Sequence, residues 1–275
     1  MAATEPPPIL RSALLAEVPG LVHGFSTRSS GDMAAGAGGQ DASLRRFAAE
    51  VSGRSGEWRW MSVRQVHSSL VWRDPAPETA GDGMMTDASG VLLGIRVADC
   101  VPILLADVRR GVIAAVHAGW RGTVARIVEK AVGELRAQFG SDPADLRAAL
   151  GPSIRRCCYQ VGAEVVEAFA AQFDYAEALW TPAPADPVRE RYPMLFMTGA
   201  PPGHPRDPRW NYNPSVCLDL AEANRRQLRA VGLPEGAIDV LAYCTSCSPE
   251  WFYSYRRDGA QAGRMIAAIG LRLPG

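Results

Sequence analysis

Residues 98–122, "ADCVPILLADVRRGVIAAVHAGWRG", hold two apolar runs of strand length around a charged turn. A strand with one face in water alternates apolar and polar residues, whereas these runs do not, so they read as strands covered on both faces. That demands a second layer on each side. A thiol, Cys100, stands before the first run, and an imidazole, His117, closes the second.

The neighbouring sequence supplies layers. "SLVW" and "GVLLGIRV" are further short strands punctuated by Gly, Asp and Pro. In "RGTVARIVEKAVGELRAQFG" the apolar positions Val124, Ile127, Val128, Ala131, Val132 and Leu135 recur at three and four residues, which predicts one amphipathic helix. Thr123 is placed to cap it and Gly140 to stop it. A strand ("LRAALGP"), two helices ("GAEVVEAFAAQF" and "SVCLDLAEANRRQLRAVG") and a strand ("IDVLAY") follow. The expectation is a mixed α+β fold, a mixed β-sheet core with flanking helices.

With 275 residues and 47% apolar content the chain can bury a large core without staples. No internal repeat divides it, so 1–275 reads as a single domain, with 1–20 a loosely ordered N-terminal segment. Nine prolines in 180–214 rule out a regular element there and predict a long surface excursion. Lys+Arg and Asp+Glu both number 29, which gives no electrostatic footprint for nucleic acid or an anionic membrane. The N-terminal segment, with four prolines, two acidic residues and no long apolar stretch, is neither a signal nor a membrane span, which points to the cytoplasm. Six cysteines are too sparse for a disulfide scaffold and are expected as thiols.

Four histidines are present: His23, His67, His117 and His204. His67, Cys100 and His117 each close or border an apolar run, and strand ends that meet make sites. The residues alone leave three readings open: buried core side chains, a Cys100 nucleophile with His117 as its base, or one metal held by all three. A thiolate and two imidazoles suit zinc, and three protein ligands leave a fourth position for water, as catalytic sites do. The spacing matches no short zinc pattern. Cys244 and Cys247 form a single CxxC and Cys157 and Cys158 are adjacent, so these four read as buried thiols near the site rather than a second metal centre. Asp99, next to Cys100, is the first choice for an acid/base or ligand-orienting carboxylate; Asp82 reads as a turn residue bonding its own backbone. Candidate anion binders are Arg64, Arg121, Arg256 and Arg264.

The segments "QVH", "DGMMTDASGVLLGIRVADCVPILLAD", "VHAGWRG", "GPSIRRCCYQVG", "DLAEANRRQL" and "CTSCSPEWFYSYRRDGAQAGR" resemble, in order, the motif series of the YfiH family, also called the purine nucleoside phosphorylase or polyphenol oxidase (laccase-like) family. The resemblance runs from about Val22 to Leu271. It implies a fold similar to the catalytic domain of cytotoxic necrotizing factor toxins and a zinc held by His67, Cys100 and His117. It also implies phosphorolysis of adenosine, inosine, guanosine and methylthioadenosine and deamination of adenosine; for these reactions Cys100, His117 and, from its place beside Cys100, Asp99 are the candidate catalytic residues. Purine nucleoside and phosphate are then the partners, with no protein partner expected. An older label for the family is laccase, so copper in the same site is the alternative metal. The front segment "DMAAGAGGQDASLRRF" lacks the family's "NLG", and the tail reads "DGAQAGR" where a threonine commonly precedes the last Gly-Arg. These departures leave room for reduced activity, a changed substrate, or a nucleoside-binding relative without turnover.

Overall fold

The computed structural model describes residues 7–34, 40–53, 58–183 and 216–273, with only the backbone at 40 and 41. Along the chain run β1 (Ile9–Leu10), α1 (Ala13–Ala16), β2 (Leu21–Ser26), α2 (Gln40–Ser52), β3 (Arg59–Met61), β4 (Val71–Arg73), β5 (Gly83–Thr86), β6 (Val91–Val97), β7 (Val101–Asp107) and β8 (Val112–Ala118). Then come α3 (Trp120–Val124), α4 (Ile127–Phe139), β9 (Leu146–Leu150), β10 (Gln160–Val161), α5 (Ala163–Gln172), β11 (Trp180–Pro182), β12 (Val216–Leu218), α6 (Leu220–Ala230), β13 (Ile238–Val240), α7 (Tyr255–Asp258) and β14 (Met265–Leu271).

Two compact units result, where the sequence shows no boundary: residues 1–155 with 220–275, and residues 156–219. The smaller holds α5 and a sheet ordered β10-β12-β11. The larger holds two mixed sheets, ordered β1-β2-β14-β6-β3 and β13-β9-β7-β8-β5-β4. Val91, Leu93, Ile95 and Val97 of β6 share one core with Leu104 and Ala106 of β7 and Ile113 and Ala115 of β8, so the sheets cover each other. The alternate residue Leu92 joins a second core with Phe47, Ala48 and Val51 of α2 on the far side of the five-stranded sheet. Helix α4 covers the six-stranded sheet. The apolar runs of β7 and β8 are explained by these layers.

Three local expectations change. Residues 9–16 are ordered: β1 pairs with β2, Ser12 Oγ accepts from Leu15 N at 3.3 Å to start α1, and Arg11 Nη1 donates to His23 O at 2.7 Å. The helix expected around Thr123 breaks into α3 and α4 at Arg126, whose φ is +58°. There the Thr123 carbonyl accepts from Arg126 N at 3.0 Å and from Gln227 Nε2 at 2.9 Å, in place of the next helical N–H. Thr123 therefore lies within α3 rather than capping a helix. Val216–Leu218 is a strand, because it pairs with both β10 and β11 before α6 begins. Gly140 does stop α4, at φ +69°. The expected proline-rich excursion falls almost wholly at 184–215, outside the described residues.

His23 is 2% exposed, and its Nε2 accepts from Ser12 N at 2.9 Å. Burial first, then the nearby Arg11 charge, hold its pKa down from 6.5 to about 4. Between those values the unfolded chain binds more protons than the folded one, so stability from this group is complete above pH 6.5 and is lost as the pH falls through 4. Urea unfolding should show a loss of about 3 kcal/mol over that window, as 1.36 kcal/mol per pKa unit requires. His23→Gln should flatten the curve there; an unchanged slope would remove His23 as its source.

Candidate metal centre

Strand register assembles the site. In the antiparallel pair β7–β8, Pro102 lies opposite His117, so Cys100, just ahead of β7, reaches the end where β8 finishes. On the other side of β8, Gly83 of β5 lies opposite Val116, which brings Asp82 to the same end. His67 arrives on the segment between the Arg64–Ala80 bridge and β4, which runs parallel to β5. Four residues from four chain segments thus meet at one end of the six-stranded sheet.

The ligand atoms of His67, Cys100 and His117 all lie within 4.8 Å of one another. Cys100 Sγ is 3.9 Å from His67 Nε2, and the imidazoles meet edge to face with centroids 4.9 Å apart. His67 is exposed, Cys100 half-buried and His117 buried. Tetrahedral zinc with bonds of about 2.0–2.3 Å needs donors about 3.5 Å apart, so the set fits a metal with little movement. Gly119 shows how closely the cluster sits: a Cβ there would stand 3.0 Å from His67 Cδ2 and 3.1 Å from Cys100 Sγ.

Asp82, fully buried, is the residue that sequence reasoning undervalued. Its carboxylate bonds remote groups instead of its own turn: the His117 ring nitrogen Nδ1 at 2.8 Å and the backbone of His67 at 3.0 Å and Ser68 at 2.6 Å. Burial alone would raise its pKa, but hydrogen bonds from His117 and Ser68 bring it down to about 2. Burial likewise pushes the Cys100 thiol up, and the His117 charge together with hydrogen bonds from both imidazoles reverses this, leaving its pKa lowered. For His117 burial favours the neutral ring, while the Cys100 charge and the Asp82 bond raise its pKa. The signal for Asp82 lay in its position just before a strand that pairs with the His117 strand, which only the register discloses.

Asp99, beside Cys100, turns its carboxylate to the C-terminal segment. One carboxylate oxygen accepts from Thr245 Oγ1 and the other from Arg256 N, both at 2.6 Å, while its carbonyl accepts from Ile154 N at 2.9 Å. These bonds tie the C-terminal segment beside Cys100 and occupy the carboxylate, so Asp99 is placed to position rather than to transfer protons. The exposed Arg64 and Arg121 lie on the segments that carry His67 and His117, with Arg121 stacked on Trp120 at 4.4 Å. Arg256 is exposed and held at its N–H by Asp99. Arg264 is turned back onto its own tail, its Nη1 donating to Ala262 O and Gly263 O. Of the cysteines expected as buried thiols, Cys244 is buried but Cys157 and Cys247 are exposed, since they lie in turns outside the strands. His23 serves the fold away from the trio, and His204 lies outside the described residues.

Fold and site together define an α+β protein with a cysteine and two histidines grouped at a sheet end where they could hold a metal ion. The chain belongs to the family described as multi-copper polyphenol oxidoreductase laccase, whose model matches residues 24–272. This bears out the YfiH-like resemblance of the motifs. A purine nucleoside phosphorylase of Deinococcus radiodurans is 36% identical over 277 residues, spanning 96% of this chain and 93% of that protein. A protein named adenosine deaminase RL5, from an unknown prokaryotic organism, is 36% identical over 189 residues, 68% of this chain and 61% of that one. The crystal structure of YlmD from Geobacillus stearothermophilus superposes with a TM-score of 0.75 and 30% identity, covering 98% of each chain.

Gly119→Ala tests the packing of the centre. Its φ of −77° is acceptable to alanine, so the fold should persist while His67 and Cys100 are pushed apart. Metal affinity, measured by chelator competition, should fall at least about tenfold.

Proposed function

We propose that the chain is a zinc-dependent purine nucleoside enzyme. It carries out phosphorolysis of adenosine, inosine, guanosine and methylthioadenosine, and deamination of adenosine. The observation that carries the reading is the convergence of His67, Cys100 and His117 within 4.8 Å, three ligands that leave a position open. The names of the relatives, purine nucleoside phosphorylase and adenosine deaminase, support the substrate class.

When bound, zinc supplies a Lewis acid beside the substrate. His67, Cys100 and His117 hold it, and Asp82 orients His117. Phosphorolysis also needs phosphate delivered to the anomeric carbon, a task suited to guanidinium groups. Arg64 and Arg121 are exposed next to the ligand segments and are assigned to it, with Arg256 presented by the tail that Asp99 secures. The thiolate ligand calls for a reducing compartment, which supports a cytoplasmic location. Among the described residues, no helix is long and apolar enough to cross a membrane.

The name multi-copper does not suit this chain's ligands. Several copper centres need many imidazoles, the chain has four histidines in all, and among the described residues only His67 and His117 stand in the group. A mononuclear copper in the same trio remains the alternative metal. A second reading has its own observation: Cys100, His117 and Asp82 form a thiol–imidazole–carboxylate chain, the arrangement of a cysteine hydrolase. It gives His67 no task, and a metal on Cys100 Sγ would occupy the nucleophile.

The zinc-loaded protein, incubated with adenosine with and without phosphate, should yield adenine and ribose-1-phosphate in the first case and inosine in the second. Cys100→Ala should reduce both to the uncatalysed level. Arg121→Gln should raise the phosphate KM about tenfold or more and spare deamination, since a hydrogen bond to a charged group contributes about 1.5–3 kcal/mol. No product in either condition would refute the nucleoside reading, and activity confined to the metal-free protein would favour the hydrolase.

A further inference from the structure

Both oxygens of the buried Asp82 carboxylate are loaded with donors. Oδ1 accepts from His67 N at 3.0 Å and His117 Nδ1 at 2.8 Å. Oδ2 accepts from Ser68 N at 2.6 Å, Ser68 Oγ at 2.7 Å and Val66 N at 3.2 Å. We infer that Asp82 is the positioning residue for both imidazoles at once: it fixes the proton of His117 on Nδ1 and, through the same oxygen, holds the turn that presents His67. The inference rests on the metal-centre part of the proposed function and is independent of the substrate.

An ionised carboxylate only accepts hydrogen bonds. The ring nitrogen facing it must therefore carry the proton, and the Nε2 lone pair of His117 is left for the side where Cys100 and His67 stand. His67 has φ +58°, a left-handed conformation that a residue with a Cβ adopts at a cost. Three successive N–H groups, from Val66, His67 and Ser68, converge on Asp82 and hold that turn. Two ligands distant in sequence are thus set by one side chain belonging to neither segment.

Asparagine at this position is nearly isosteric but replaces one acceptor with a donor. Oδ2 meets three donors and Oδ1 two, so the amide oxygen takes the Oδ2 place and the NH2 faces His67 N and His117 Nδ1. His117 relieves the clash by moving its proton to Nε2, which then cannot bind a metal. The His67 N–H loses its acceptor in the same exchange. Ser68→Ala is the contrasting change, because it removes one donor to Oδ2 and leaves the Oδ1 bonds in place.

Nitrogen-15 spectra of histidine-labelled, metal-free protein report which nitrogen of the neutral His117 ring is protonated, and competition with a chromophoric chelator reports zinc affinity. The native protein should show the His117 proton on Nδ1. Asp82→Asn should show it on Nε2 and bind zinc about 10–100-fold more weakly. Ser68→Ala should lower thermal stability while keeping the native tautomer and an affinity within about threefold. A proton on Nε2 in the native protein overturns the inference, as does a folded Asp82→Asn protein of native affinity. Should Asp82→Asn fail to fold, the native tautomer and the Ser68→Ala protein decide, a shifted tautomer in either counting against it. Absent nucleoside turnover alongside an Nδ1 proton would refute the substrate reading and leave this one standing.

Discussion

A one-residue slip of β8 against its neighbours would turn every side chain of Val112–Ala118 to the opposite face. His117 would leave Cys100 and Asp82, and Ile113 and Ala115 would leave the core between the sheets. Register is held by that core, because β8 is buried along its whole length. The chemistry at the end of the strand is therefore anchored by the apolar residues in its middle. The middle of β8 is walled by apolar side chains on both faces, whereas at its terminus the ladder ends and other segments can reach the imidazole.

Those segments arrive by different routes. Cys100 comes from the residue before β7 and Asp82 from the residue before β5, both antiparallel neighbours of β8. An antiparallel neighbour begins where β8 ends, so two short-range rules of strand pairing already bring thiol, imidazole and carboxylate together. His67 needs a longer excursion, since β4 pairs with β5 in parallel and its preceding segment must lie at the same end. The carboxylate of Asp82 completes that excursion through hydrogen bonds to three consecutive backbone N–H groups.

Much of this architecture was legible in the sequence. The apolar runs of β7 and β8 announced buried strands, and Gly140 marked the end of α4. The trio was legible because its residue types are rare in the chain and two of them, Cys100 and His117, stand at strand ends, while His67 lies in a turn ahead of β4. What stayed hidden depended on partners far along the chain. The break at Arg126 comes from Gln227 taking the Thr123 carbonyl, and the strand at Val216–Leu218 exists only by pairing with β10 and β11. Order in residues 9–16 arises from β2 and from bonds such as Ser12 Oγ to Asp239 at 2.6 Å. Periodicity within a window carries no trace of such contacts.

The two aspartates show the same limit at the site itself. Both end a turn before a strand or a ligand, and adjacency to Cys100 favoured Asp99 over Asp82. Five non-glycine residues with positive φ occur among the described residues, and two of them, His67 and Asp99, border the cluster. Each would relax if nothing opposed it, and each is opposed by a carboxylate: that of Asp82 at the His67 turn, and that of Asp99 itself through Thr245 and Arg256. Strain of about 1–3 kcal/mol per residue persists only where surroundings over-determine it. Here the over-determination runs in two directions, one carboxylate binding the ligand segments to each other and the other binding the arginine-bearing tail to the cysteine. A rigid cluster and a separately tethered tail are what the proposed centre would need, with one group of residues fixed while another meets phosphate.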